Sequence, residues 1–88
     1  MQNKADYWIE MCDDDLWAAR NLLASKDYFW MGFVCHLIVE KSLKAIYAGK
    51  TEKIPRKTHD LPKLAEDALI NDLNDEQLDF LEELMPLY

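Results

Sequence analysis

At 88 residues the chain has room for one domain, and its half share of hydrophobic residues, with three Trp, four Tyr and three Phe, rules against disorder. A domain this small buries only roughly 60 to 65% of the surface that its unfolded chain exposes, so stability is marginal and association would add to it. The 17 acidic against 10 basic side chains, a net charge of −7, argue against generic binding to a phosphate backbone.

That charge is unevenly spread. Residues 1–40 carry three basic and seven acidic groups (−4), residues 41–63 seven and two (+5), and residues 64–88 none and eight (−8). One basic band lies between two acidic ones.

From Lys4 to about Ser25, Trp8, Cys12, Leu16, Ala19, Leu22 and Leu23 recur at three- and four-residue steps and predict the inner face of an amphipathic helix. Asp6, Glu10, Asp13 and Arg20 take the opposite face. The consecutive Asp13, Asp14 and Asp15 point in different directions on a helix, so they read as solvated charge and no metal site is expected. Ser25-Lys26-Asp27 predicts a short turn with Asp27 as N-cap, followed by a second helix from Tyr28 to about Ala48 that Gly49 stops. Two long helices joined so closely form an antiparallel hairpin about 30 Å long, with Gly32 permitting close approach near the turn.

Lys50 to His59 contains Pro55 and a run of cations without helical apolar period, and predicts a loop. A third helix begins with Asp60 as N-cap, takes Pro62 in its first turn, turns Leu61, Leu64, Ala65, Ala68 and Leu69 inward, and ends at Asn71 or Asp72. Asn74, with Gln77 three residues on, predicts a capping box opening a fourth helix whose Leu78, Leu81 and Leu84 keep helical spacing beside Phe80 and Met85, before Pro86 ends it. The expected fold is all-α: an antiparallel hairpin of two long helices plus two shorter ones, in one domain spanning residues 1–88.

Cys12 and Cys35 sit within helical apolar patterns with no partner at metal-ligand spacing, which leaves buried thiols or a disulfide between neighbouring helices. No basic start leads into a long apolar run and no stretch reaches about 18 uninterrupted apolar residues, so neither a signal peptide nor a membrane span is expected and the cytoplasm is the default location.

An aromatic start at Tyr28, Phe33, then Glu40-Lys41-Ser42-Leu43-Lys44-Ala45, with Thr58-His59-Asp60-Leu61 following, resembles the second helix and subsequent turn of HEPN domains. Ala5, Trp8, Asp15-Leu16, Ala19 and Leu22-Leu23 resemble that family's opening helix, so the similarity spans nearly the whole chain. The resemblance implies an up-and-down helical bundle that pairs as a homodimer, functions tied to nucleotides or RNA, and association with a small nucleotidyltransferase in a toxin–antitoxin arrangement. It also implies C-terminal truncation, because the chain stops at Met85-Pro86-Leu87-Tyr88 where longer relatives continue. Ribonuclease members use an arginine, four to six intervening residues and a histidine, whereas Arg56 and His59 here have two residues between them. No catalytic residue and no cofactor is therefore nominated.

Glu40 and Lys44, at i and i+4 in the favourable order, read as an ordinary surface ion pair worth about 0.3 to 0.5 kcal/mol. A second reading sets Lys41 and Lys44 with Lys50, Lys53, Arg56 and Lys57 as a cationic rim for the phosphates of a nucleotide or an RNA end. His59, just before Asp60, would order the turn or join that rim; as an acid–base group it would need a polar partner such as Glu40, Asp60 or Arg56 to orient it. His36 reads as an interior residue. Trp17 on the polar side of the first helix, and Phe29 and Trp30 at the hairpin tip, are candidates for a dimer interface or for burial within the monomer.

Overall fold

The computed structural model describes residues 4–68, 70 and 72–88. Among the described residues there are four α-helices, α1 Lys4–Ala24, α2 Tyr28–Thr51, α3 Leu61–Asp67 and α4 Asp75–Leu84, followed by a 3-10 turn over Met85–Leu87. No strand occurs among the described residues. The expected all-α hairpin with two short helices is the fold found.

The hairpin turn closes differently from the sequence expectation. Lys26 adopts the left-handed conformation at φ 61°, while the Asp27 amide donates to the Leu22 carbonyl at 2.9 Å and the Lys26 amide to Leu23 at 3.1 Å. Those two bonds form a Schellman motif, so the turn is set by how α1 ends. The Asp27 side chain makes no cap hydrogen bond. Gly49 does not stop α2 either: the helix runs through it, and Glu52, left-handed at φ 57°, closes the end by donating to Ala48. A Cβ at Gly49 would stand in ordinary van der Waals contact with Ala5 of α1, 3.6 Å away, so the exposed position lies beside the hairpin contact without requiring glycine. Gly32 faces Leu87 of the C-terminal turn rather than the other arm of the hairpin.

The two short helices start as expected. Asp60 accepts from the Lys63 amide at 3.1 Å, and Asn74 and Gln77 complete a reciprocal capping box at 2.8 and 2.9 Å. α3 is shorter than expected, ending at Asp67; the expected inward Leu69 and the expected stop at Asn71 lie outside the described residues.

α2 is the central element. α1 packs along one side of it, and α3, α4 and the C-terminal turn pack on another. Leu43, Leu61, Leu64, Ala65, Leu81 and Leu84 make the core there, with Val39, Ile70, Leu73 and Met85 against it. Outside that cluster the buried hydrophobic residues of α1 and α2 are small: Ala19, Ala45 and Ala48. Small residues let two helix backbones approach closely and leave the larger side chains at the seam's edges. Leu16 and Leu23, expected inside, are therefore exposed: α2 covers a narrower strip of α1 than its apolar stripe spans. On α4, Leu78 and Phe80 are exposed, while Leu81 and Leu84 are buried.

Candidate functional site

The face of α2 toward α3 and the C-terminal turn carries His36, Glu40 and Lys44, each one helical turn from the next, and all three are buried, at 0%, 4% and 6% exposure. Glu40 is the hub. Its Oε1 accepts from His59 Nδ1 at 2.7 Å, and its Oε2 accepts from Lys44 Nζ at 3.2 Å. The pair read from the sequence as a surface ion pair is thus an interior one, because the loop after α2 brings His59 back over Glu40. A buried carboxylate is tolerable only when paired and hydrogen-bonded, and Glu40 has both a cation and an imidazole donor. Lys44 also lies 5.2 Å from the centroid of the Trp8 ring, so α1 supplies a second favourable contact for the same ammonium.

His36 ties this hub to the C-terminus. Its Nδ1 donates to the Leu84 carbonyl at 2.9 Å, which places a proton on that nitrogen since a carbonyl only accepts. Its Nε2 stands 3.6 Å from Glu40 Oε1 and has no hydrogen-bond partner. Tyr88 closes the cluster from outside, stacked on His59 at 3.6 Å between ring centroids and 22° between planes, and in contact with His36 and Phe33.

With Nδ1 committed to Glu40, His59 presents Nε2 as its free ring nitrogen on a half-exposed side chain. A buried carboxylate fixing an imidazole in this way is an arrangement that can accept and return a proton. The cluster equally serves as a lock, since it joins α2, the loop before α3 and the C-terminal turn.

Lys44 leads into a cleft of about 350 Å³ lined by Lys4, Tyr7, Trp8, Lys44, Ile54, Pro55 and Lys57. Of the cationic rim read from the sequence, Lys44 and Lys57 meet here, and His59 is linked to Lys44 through Glu40. Lys41 and Arg56 are engaged elsewhere. Lys41 is held by Asp15 of α1, and Arg56 makes a two-pronged pair with Asp67 of α3 at 2.7 and 3.0 Å. Lys50 donates to the Ala68 carbonyl. Sequence reasoning did not single out Lys4, Tyr7 and Trp8 for this cleft, nor Tyr88 as its neighbour's cover. The i, i+4, i+8 spacing of His36, Glu40 and Lys44 was the available signal for the hub.

A second surface lies on the open side of the hairpin. Ile9, Leu16 and Leu23, seven residues apart on α1, and Ile46 on α2 are all exposed. A shallow groove of about 340 Å³ runs between the helices there, lined by Ile9, Cys12, Asp13, Ser42, Ala45 and Ile46. Both cysteines are free. The interface candidates are also exposed, Trp17 at 65%, Phe29 at 81% and Trp30 at 53%, the last two beside a pocket formed with Pro86, Leu87 and Tyr88. Among the described residues no group of His, Cys, Asp and Glu could hold a metal ion, and no helix is long and apolar enough to cross a membrane.

Comparison with curated proteins and with solved structures gives no match. The family model of the HEPN domain matches residues 5–88. With the match running from the first turn of α1 to Tyr88, over the hairpin, the Glu40 hub and the capped short helices, the chain belongs to the HEPN domain family.

Proposed function

We propose that this chain is a non-catalytic HEPN interaction module that pairs with a second copy through the open face of its hairpin and serves as partner to a nucleotidyltransferase in a toxin–antitoxin type system. The observation that carries the pairing is the exposed stripe of Ile9, Leu16, Leu23 and Ile46 along two long helices, on a domain too small to leave such a surface idle. The non-catalytic reading rests on the two-residue gap between Arg56 and His59 and on the engagement of Arg56 by Asp67. The nucleotidyltransferase rests on family membership alone. Sedimentation at micromolar concentration tests the pairing: a dimer is expected, reduced to a folded monomer by Leu16→Glu with Ile46→Lys, and a strict wild-type monomer would refute it. Co-purification with a co-expressed small nucleotidyltransferase tests the partner.

A second reading is favoured by the cleft that sets Lys57 beside Tyr7 and Trp8, with Lys44 behind them on Glu40 and Lys4 on the Glu52 carbonyl: a nucleotide or an RNA end, its phosphates on Lys57 and its base against the aromatic pair. Ligands that bind only the folded state raise its melting temperature. A shift with one nucleoside phosphate at low salt, lost in Lys57→Gln, supports this reading; no shift at millimolar ligand removes it. A degenerate ribonuclease is the third reading, favoured by the orientation of His59 by Glu40, and RNA cleavage that survives His59→Ala would eliminate it.

A further inference from the structure

α4 and its surroundings have a surface chemistry unlike either of these regions. A groove of about 320 Å³ runs along the edge where α4 meets α2, lined by Leu43, Leu73, Glu76, Gln77, Phe80 and Leu81. Phe80 stands at its rim, 53% exposed, an aromatic ring the monomer leaves largely in water. Glu76 precedes it by four residues and Glu83 follows by three, so both neighbour Phe80 on the helix surface. Glu76, Asp79 and Glu83 form a stripe at helical spacing beside the groove, all three are exposed, and none makes an ion pair among the described residues.

We infer that this groove docks a basic amphipathic helix of a different protein, with an aliphatic or aromatic anchor against Phe80, Leu43 and Leu73 and Lys or Arg side chains over Glu76, Asp79 and Glu83. The charge of the surface selects the occupant. From residue 64 onward the chain has eight acidic side chains and no basic one, so an acidic helix is repelled, a neutral one gains from the apolar stripe alone, and a basic one is steered to the groove. A helix lying along α4 finds apolar and acidic stripes side by side over about 15 Å, the length of ten helical residues. A second copy of this chain does not supply such a helix. α1 is acidic, and the cations Lys41, Lys44 and Lys50 of α2 are held by Asp15, Glu40 and the Ala68 carbonyl. The groove shares no lining residue with the one on the open side of the hairpin.

The test uses the full chain and a synthetic amphipathic helix of leucine and lysine, with a leucine–glutamate peptide and a serine–lysine peptide as controls, in calorimetric titrations at low salt. The leucine–lysine peptide is expected to bind and neither control to match it. Phe80→Ser and Glu76→Gln, both at exposed positions, are expected to weaken binding tenfold or more. Asp13→Asn with Asp14→Asn on α1, which removes two acidic charges elsewhere, is expected to leave it within twofold. Equal weakening by the α1 variant would reduce the effect to net charge and overturn the site. So would the absence of binding, or binding indifferent to Phe80→Ser. Loss of self-association in Phe80→Ser, read by sedimentation, would assign the face to a second copy and overturn the inference in favour of that occupant.

Discussion

Glu40 is where single residues matter most to this fold. Replacing it by Gln leaves the Lys44 ammonium nearly buried without its anion and weakens the acceptor of His59. Breaking a buried ion pair on one side costs several kcal/mol, so Glu40→Gln is expected to lower the unfolding free energy by about 2 to 3 kcal/mol, measured in urea by Trp fluorescence. Glu83→Gln, on an exposed carboxylate, is expected to stay within about 0.5 kcal/mol of the parent. Adding Lys44→Met to Glu40→Gln should cost less than the two single changes summed, because the second removes a charge that the first has stranded. If Glu40→Gln is neutral, the hub holds nothing together. The spacing of Glu40 and Lys44 was legible in the sequence, but their burial was not: it depends on His59, Leu61 and Leu84 arriving from later in the chain, and helical periodicity reports nothing about what lies opposite a face. Arg56 illustrates the same limit, since its partner Asp67 sits in another element.

Among the elements, the ends of helices separate what local chemistry dictates from what packing dictates. The Asn74 box and the Asp60 cap were legible because a side-chain oxygen three residues before an orphan amide needs no outside help. Asn74→Ala and Asp60→Ala are each expected to cost about 1 kcal/mol in thermal or urea unfolding. Asp27→Ala is expected to cost less than about 0.5 kcal/mol, since the Asp27 side chain caps nothing. Equal losses at all three positions would mean that the Schellman closure at Lys26 is not what holds the hairpin turn. The errors at Asp27 and Gly49 share a cause. Both residue types favour helix boundaries locally, yet here Lys26 and Glu52 take the left-handed positions, and Gly49 sits within α2.

For the whole molecule, the hairpin architecture was legible from two long amphipathic runs and a three-residue connection, whereas the extent of its open face was not. Leu16 and Leu23 belong to the apolar stripe by spacing, and only the placement of α3 and α4 on the far side of α2 shows that none of the other described helices covers them. That placement makes salt a discriminating variable. Two copies that meet at an apolar seam each bring a net charge of −7, so their long-range repulsion opposes association at low ionic strength. Salt shortens the screening length from about 10 Å at 0.1 M to about 3 Å at 1 M, and apolar burial does not weaken with it. Self-association through the seam is therefore expected to tighten as sodium chloride rises, by sedimentation equilibrium, whereas a basic helix on α4 is expected to bind more weakly over the same range. Self-association that weakens with salt would instead mean that copies meet through opposite charges, the band of residues 41–63 on one against the acidic segment 64–88 of the other, and the seam would lose its claim to the dimer.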